Sequence, residues 1–212
     1  MLFYNVFIIL INLVNYSIIL VRWWFLIKYP NKIVKIAKFK YYGNRGMTLE
    51  AELNDSNKYY LDNDIAVIYK KPTPVKVVKQ INEKIVNAYF EKPSTTDYNG
   101  LYNGKYVDFE AKETTKTSFP LANIHAHQIK HMENVLRHGG ICFLIVRFTK
   151  INETYLLFGK EFIQFISTNS RKSIPLDYFK EKGHLIKDKL MPKVDYIEII
   201  DRYGGLLWNK RK

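Results

Sequence analysis

The sequence has little cysteine, and its first part has no acidic side chains. Cys142 is the single cysteine, which excludes an intrachain disulfide and any metal site built on several cysteines. One cysteine suits a reducing cytoplasm, where we expect the protein to act, and we predict that Cys142 fills space in the core. Residues 1–46 hold seven Lys or Arg and no Asp or Glu.

The charge balance favours a polyanionic partner. The chain of 212 residues carries 33 basic against 20 acidic side chains, a net charge of +13. Residues 47–212 keep 26 basic against the same 20 acidic side chains, so much of the excess belongs to the N-terminal arm. This balance indicates nucleic acid or an acidic membrane as partner. The length predicts one domain with appendages.

The N-terminal segment is hydrophobic and atypical. Residues 2–21 carry no charge, and Trp23, Trp24 and several lysines follow. That pattern is compatible with a membrane anchor flanked by an interface belt and positive charge. Asn5, Asn12 and Asn15 count against a true membrane span. The composition, rich in Ile, Asn, Leu, Tyr, Phe and Lys, is also what A/T-rich DNA yields when it is translated from a start placed too far upstream. We therefore treat residues 1–37 separately from residues 38–212.

From about Asn44 the pattern becomes that of a compact α/β domain. Residues after Thr48 have helical spacing, and a second helix is expected within 121–140, ended by Gly139–Gly140. Strands are predicted at 65–70, on both sides of Asn103–Gly104, at 141–148 and within "TYLLFG". Further elements are predicted near 160–167 and 194–203. We predict a mixed sheet flanked by helices.

An insertion separates the first strand from the hairpin. Residues 71–94 contain Pro72, Pro74 and Pro93 together with several lysines. A long basic insertion without regular periodicity predicts a protruding functional loop.

The stretch "YVDFEAKETT", residues 106–115, places Asp108, Glu110 and Lys112 on one face of a strand. One interpretation is the solvated face of a half-buried sheet. The other is a metal-dependent phosphodiester nuclease. Pairing around the Asn103–Gly104 turn brings Asp97 towards Glu110, and two carboxylates supply hard oxygen ligands for Mg²⁺ or Mn²⁺. Lys112 would then stabilise the developing phosphorane charge.

Several short blocks occur in a fixed order from Lys38 to the C-terminus. They are "NRGMTLE" (44–50), "KKPTPV" (70–75), "STTDYNG" (94–100), "DFEAKET" (108–114), "TSFPL" (117–121), "HQIKHM" (127–132), "GGICF" (139–143), "SRKSI" (170–174) and "VDYI" (194–197). In these blocks the chain resembles the RecU family, Holliday junction resolvases of the PD-(D/E)xK nuclease superfamily.

The resemblance implies a restriction-endonuclease-like fold and a homodimer that cuts four-way junction DNA symmetrically with Mg²⁺. It implies that Thr95, Asp97, Glu110 and Gln128 surround the metal and that Lys112 stabilises the transition state. Residues 71–94 would form the family's stalk, inserted at the junction crossover. Residues 1–37 do not resemble the family's polar, basic arm.

The remaining candidates each have a structural alternative. Glu50 either holds a water on the metal or is an exposed helical glutamate, and Asp108 is explained by a surface position. The basic residues expected to contact phosphate are Arg45, Lys70, Lys71, Lys76 and Lys79. His127 and His131 lie one turn apart but lack the other ligands of a zinc site, so surface or DNA-facing positions are expected.

Two alternative functions share these features. A restriction-type nuclease would use the same residues on linear duplex DNA. A junction-binding protein that modulates the recombinase filament would bind without cutting, although it would have no need to keep Asp97, Glu110 and Lys112.

Overall fold

The structure, a computed structural model, describes residues 48–72, 74–90 and 95–204. The chain divides into two units, Met1–Asn44 and Arg45–Lys212, and every described residue belongs to the second. The segment 2–21 and the predicted boundary at residue 37 lie outside the described ranges. Within those ranges, no helix is both long and apolar enough to cross a bilayer.

The described chain alternates between helices and strands. The helices are α1 (Leu49–Asp62), α2 (Ala126–Arg137), α3 (Gly159–Thr168), α4 (Leu176–Lys182) and α5 (Tyr196–Ile199), with a 3-10 turn at Leu121–Asn123 and a π turn at Ile200–Gly204. The strands are β1 (Val67–Lys70), β2 (Val75–Ile81), β3 (Lys84–Phe90), β4 (Tyr98–Tyr102), β5 (Lys105–Thr114), β6 (Ser118–Pro120), β7 (Ile141–Phe148), β8 (Glu153–Phe158), β9 (Ser173–Pro175) and β10 (His184–Ile186).

The main sheet has the strand order β1-β4-β5-β7-β8-β10. Strands β5 and β7 are parallel, from Val107 opposite Ile141 to Thr114 opposite Phe148, and the other neighbours are antiparallel. A parallel pair needs a long crossover, and α2 lies within the one that joins β5 to β7. The prediction of a mixed sheet flanked by helices is confirmed.

A hydrophobic core lies on each face of this sheet. On one face Phe109 and Phe143 stack at 4.7 Å and pack with Leu53 of α1 and Tyr196 of α5. The opposite face carries a second cluster, whose members include Cys142, Leu144, Met132 of α2 and Phe162 of α3. The predicted core position of Cys142 is confirmed, because its side chain is buried in this second cluster.

The hairpin β4–β5 has the predicted tight turn. Asn103 and Gly104 have positive φ angles of 46° and 71°, which glycine and asparagine adopt more readily than other residues. From this turn the ladder runs to the pair Tyr98–Phe109. The register therefore places residue 97 opposite residue 110, as the sequence predicted.

The insertion at 71–94 is more regular than its prolines and lysines predicted. Strands β2 and β3 form a separate two-stranded antiparallel sheet, joined at Asn82 and Glu83. Every side chain described between residues 75 and 89 is exposed. The expectation of an irregular loop was wrong, because the chain pairs with itself, while the prediction of an exposed insertion is confirmed. We call β2–β3 the stalk.

Candidate active site

Three charged side chains meet at the end of the β4–β5 hairpin. Asp97 immediately precedes β4, and its Oδ2 accepts a hydrogen bond from the Ala111 backbone N–H at 3.3 Å. Lys112 Nζ lies 3.4 Å from Asp97 Oδ2 and 2.5 Å from Glu110 Oε1. The structure thus brings together Asp97, Glu110 and Lys112.

Glu110 is an unusual carboxylate. Its side chain is fully buried, and neither oxygen receives a hydrogen bond of good geometry from the described residues. Burial raises its pKa, and the nearby charge of Asp97 raises it further, while Lys112 and Gln128 act in the opposite direction. The net result is a pKa above the ordinary glutamate value.

Lys112 keeps its proton in this site. Burial alone would lower the pKa of its ammonium group, but the contact with Glu110 and the charge of Asp97 outweigh that effect and raise it. Lys112 is also more accessible than Asp108 and Glu110 on the same face, with 31% of its side chain exposed. A permanently charged cation therefore stands at the rim, next to two carboxylates.

These carboxylates suit a hard divalent cation. Glu110 presents two buried oxygens, one of them in close contact with Lys112 Nζ and neither with a hydrogen bond of good geometry among the described residues, and Asp97 adds a second carboxylate beside them. Mg²⁺ prefers oxygen ligands and commonly takes only one or two carboxylates, with water or substrate oxygens completing its shell. The part of the chain that the structure describes holds no cluster of three His, Cys, Asp or Glu side chains around one point.

Two further predicted ligands, Thr95 and Gln128, lie on segments next to the pair. Thr95 lies two residues before Asp97, and its Oγ1 accepts a hydrogen bond from Lys71 Nζ at 2.9 Å. Gln128 is buried near the start of α2, where its Oε1 accepts the His125 backbone N–H at 2.8 Å in a capping box. Gln128 is close enough to Glu110 to affect its pKa.

The charged group opens into a cleft of about 350 Å³. The N-terminal end of α1 forms one wall: Thr48 caps the helix, and the Leu49 N–H donates to Glu113 Oε1 at 3.2 Å. Glu50 lines this wall and pairs with Lys70 Nζ at 2.5 Å, with 56% of its side chain exposed. Glu50 is therefore an exposed helical glutamate that lines the cleft, and its role in holding a water on the metal stays a prediction.

Asp108 does not occupy the surface position expected for it. It is completely buried, and its carboxylate contacts Lys71 at 2.7 Å, the Tyr106 hydroxyl at 2.8 Å and His131 Nε2 at 3.1 Å. Thr96 Oγ1 also donates to it. The interpretation of 108–112 as a solvated face was wrong, because Asp108 and Glu110 are fully buried and His131 of α2 contacts Asp108.

The predicted phosphate contacts fall into different environments. Lys76 and Lys79 are exposed on the stalk, and Lys70 lies on the cleft wall. The expected exposed position of Lys71 needs correction, since only 14% of its side chain is exposed and its ammonium is bonded to Asp108, Thr95 and Thr96. Arg45 lies outside the described residues.

Sequence reasoning missed the partners of Asp108. His131 was expected at the surface or facing DNA, yet it lies one turn after Gln128 and reaches the buried carboxylate. Its spacing of three residues from Gln128 was a usable signal, because such residues share a helix face. Thr96 carried no comparable signal, since its hydroxyl contacts a residue 12 positions away.

Comparisons with known proteins give a consistent family. The family described as Recombination protein U matches residues 44–202. A protein of Geobacillus sp. (strain WCH70), named Holliday junction resolvase RecU, is 55% identical over 170 residues, 76% of this chain and 85% of that protein. The protein of the same name from Streptococcus thermophilus (strain ATCC BAA-491 / LMD-9) is 47% identical over 195 residues, 85% of this chain and 98% of its own length.

One solved structure also resembles the chain. It is the Holliday junction resolvase Hjc of Archaeoglobus fulgidus, with a TM-score of 0.39 and 9% sequence identity, and the similarity covers 63% of this chain and 95% of Hjc.

Proposed function

The chain belongs to the RecU family of recombination proteins, and from this premise we infer that it is an endonuclease that resolves Holliday junctions. Family membership supports this activity over residues 44–202, the range that contains the site at the end of the β4–β5 hairpin. A restriction-type nuclease and a non-catalytic junction binder share parts of the site, but the relatives at 47–55% identity are named as resolvases.

The finer chemistry is proposed from the site itself. Asp97 and Glu110, together with Thr95 and Gln128, would hold Mg²⁺, with Mn²⁺ as a substitute. When bound, the ion would neutralise the scissile phosphate and make a water molecule more acidic. The observation that carries this assignment is the buried, hydrogen-bond-deficient carboxylate of Glu110 beside Asp97.

Each residue then has a definite task. The Ala111 N–H fixes one Asp97 oxygen and so orients that carboxylate towards Glu110. Lys112, charged and at the rim of the cleft, would stabilise the negative charge that develops on the phosphate. The Glu50–Lys70 pair on the opposite wall would meet the DNA backbone or position water, and the exposed lysines of the stalk would contact phosphates near the crossover.

Symmetric cleavage requires two such sites. We propose a homodimer, because an isologous pair matches the approximate two-fold symmetry of a four-way junction and would nick opposing strands at matched positions. Sedimentation at several protein concentrations tests this directly. A monomer at the concentrations that resolve junctions would contradict it.

The central experiment compares Glu110→Gln and Lys112→Ala with the wild type on a synthetic four-way junction in Mg²⁺. Each variant should bind the junction but lose about 10²–10³-fold in cleavage rate, the usual cost of removing one transition-state donor or ligand. Glu181→Gln and Lys180→Ala, on the exposed surface of α4, are matched controls and should cut normally.

Substrate controls separate the other functions. A linear duplex of the same sequence should be cut poorly, whereas efficient cutting of it would indicate a restriction-type enzyme. Junction binding by the wild type without any cutting would indicate the accessory protein. Normal cutting by folded Glu110→Gln would show that the site is assigned to the wrong residues.

A further inference from the structure

The buried carboxylate of Asp108 lies where three segments of the site meet. It is on β5, two residues before Glu110, and Lys71 and Thr96 contact it from the two ends of the stalk insertion. His131 reaches it from α2, one turn after Gln128. Thus Asp108 is connected to every segment that carries a proposed metal ligand: it shares β5 with Glu110, and it contacts both the segment of Asp97 and the helix of Gln128.

The two ends of the stalk are joined to each other through this carboxylate. Lys71 Nζ donates to Asp108 Oδ2 at 2.7 Å, to Thr96 Oγ1 at 2.6 Å and to Thr95 Oγ1 at 2.9 Å. The Lys71 backbone N–H also donates to the Asp97 carbonyl at 2.8 Å. Lys71, just before the stalk, is therefore bonded to three consecutive residues just after it, Thr95, Thr96 and Asp97.

The burial of this contact makes it a strong positional restraint. Asp108 and Thr96 are almost inaccessible, and only 14% of the Lys71 side chain is exposed. A buried ion pair is tolerated when hydrogen bonds satisfy both charges, and removing one partner is then costly. The Tyr106 hydroxyl and His131 complete the donors around Asp108, so groups from four positions of the chain hold its carboxylate in place.

We propose that Asp108, with Lys71 and Thr96, is a clamp at the stalk root that positions the metal-binding limb Thr95–Asp97 against Glu110. Asp108 is a positioning residue: it acts through Asp97 and does not touch the metal or the DNA. Each of the hydrogen bonds from Lys71 Nζ to Thr95, Thr96 and Asp108 is shorter than 3 Å, and Thr95 and Thr96 directly precede Asp97 in the chain. It rests on the proposed function, because the limb it positions is the proposed metal-binding limb.

The clamp predicts a specific kinetic defect. Asp108→Asn keeps the shape of the side chain but weakens its hold on Lys71, so the limb becomes less well placed. A misplacement of about 1 Å can cost about 10²-fold in rate. Single-turnover cleavage at saturating protein should therefore fall about 10²-fold, while the Kd for the junction changes by less than about threefold.

A double-mutant cycle tests whether Lys71 and Asp108 act as one unit. Lys71→Met should give a similar defect, and the double variant should be no more than about threefold slower than the slower single variant, because either change opens the same clamp. Thr96→Val, which removes only a hydroxyl, provides a third way to open it. Rate losses that multiply in the double variant would overturn the proposal.

Hydrogen exchange supplies a measurement that needs neither cleavage nor metal. The backbone N–H groups of Lys71 and Ala111 both donate to Asp97. In Asp108→Asn they should exchange at least about tenfold faster than in the wild type, since the limb that accepts from them is released.

Tyr196→Phe is the matched control, because it removes a buried hydroxyl bonded to Asn57, away from the stalk root. It should leave exchange at Lys71 and Ala111 and the cleavage rate unchanged. Equal effects in Tyr196→Phe and Asp108→Asn, or normal exchange and normal cutting in Asp108→Asn, would refute the clamp. If the wild type fails to cut junctions, the proposed function fails while the exchange result still decides whether the clamp exists.

Discussion

Glu110 should cost the protein stability when no divalent cation is present. Its two oxygens are buried and lack hydrogen bonds of good geometry among the described residues. An unsatisfied buried polar group costs about 1–3 kcal/mol, and more when it is charged. Glu110→Gln keeps one buried oxygen but removes the negative charge, and the ion pair with the partly exposed Lys112 offsets roughly 0–1 kcal/mol of the cost of that charge. We therefore expect Glu110→Gln to raise the free energy of unfolding by about 1–2 kcal/mol in the presence of EDTA.

The assay is thermal unfolding followed by circular dichroism. For a chain of this size the expected gain corresponds to an increase of about 2–8 °C in Tm. Glu113→Gln, at the next acidic residue on the strand, is the control. Glu113 is partly exposed, and its oxygen already accepts the Leu49 N–H. The free energy of unfolding of this variant should stay within about 0.5 kcal/mol of the wild-type value.

The gain should depend on pH in a definite direction. The folded-state pKa of Glu110 lies above the ordinary value of 4.5, so the folded protein holds this proton more tightly than the unfolded chain. Its contribution to stability is present below 4.5 and is lost as the pH rises through the folded-state pKa. The difference between Glu110→Gln and wild type should thus be largest near neutral pH and vanish in acid.

In Mg²⁺ the wild type should be more stable than Glu110→Gln, the reverse of the order expected in EDTA. A cation bound by the carboxylates stabilises the folded wild type by mass action and has less to bind in Glu110→Gln. If Glu110→Gln is the less stable protein in EDTA near neutral pH, then the ion pair with Lys112 stabilises the folded protein by more than the burial of the Glu110 carboxylate costs, and the reasoning is refuted.

Two further predictions concern the strands around the site and the stalk. A Cβ added at Gly100 would lie 2.0 Å from the Val67 carbonyl oxygen, so Gly100→Ala should separate β1 from β4, with a loss of about 1–3 kcal/mol in urea unfolding; an unchanged unfolding midpoint would show that the strands move apart freely. Deleting residues 73–92 removes a hairpin that pairs only with itself in the described chain, so the fold should survive while the preference for four-way over linear DNA is lost. Retained preference in gel-shift competition would place junction recognition outside the stalk.

Local signals in the sequence predicted most of the elements. The helix after Thr48, the turn at Asn103–Gly104 and the buried strand 141–148 follow from capping, turn chemistry and apolar runs, and all three are confirmed. Turn geometry also set the register, which is why the approach of Asp97 to Glu110 was predictable. The regular pairing of the stalk was not, because prolines and lysines hide the strand pattern there.

Contacts between distant residues left no such trace. Lys71 and Asp108 are 37 positions apart, and Glu52 pairs with Arg147 across 95 positions. Neither pair has a periodic or motif signal, because each forms only after helices and strands have packed. Gln128 was identified through the family resemblance alone, since a lone glutamine on a helix gives no indication of its burial.

The three charges on one face of β5 differ in their hydrogen bonds, and this difference predicts opposite responses to the same change. Asp108 and Glu110 are both fully buried, but Asp108 has four side-chain donors, whereas among the described residues Glu110 has the ion pair with Lys112 and no hydrogen bond of good geometry. Asp108→Asn should therefore lower the free energy of unfolding. Loss of one partner of a buried ion pair costs about 3–5 kcal/mol. We expect the lower end of that range, because Lys71 keeps some solvent contact. Glu110→Gln should raise stability under the same conditions. A shift of Tm in the same direction for both variants in EDTA would mean that burial alone governs these carboxylates, and that their hydrogen bonds do not separate a structural residue from a metal-binding one.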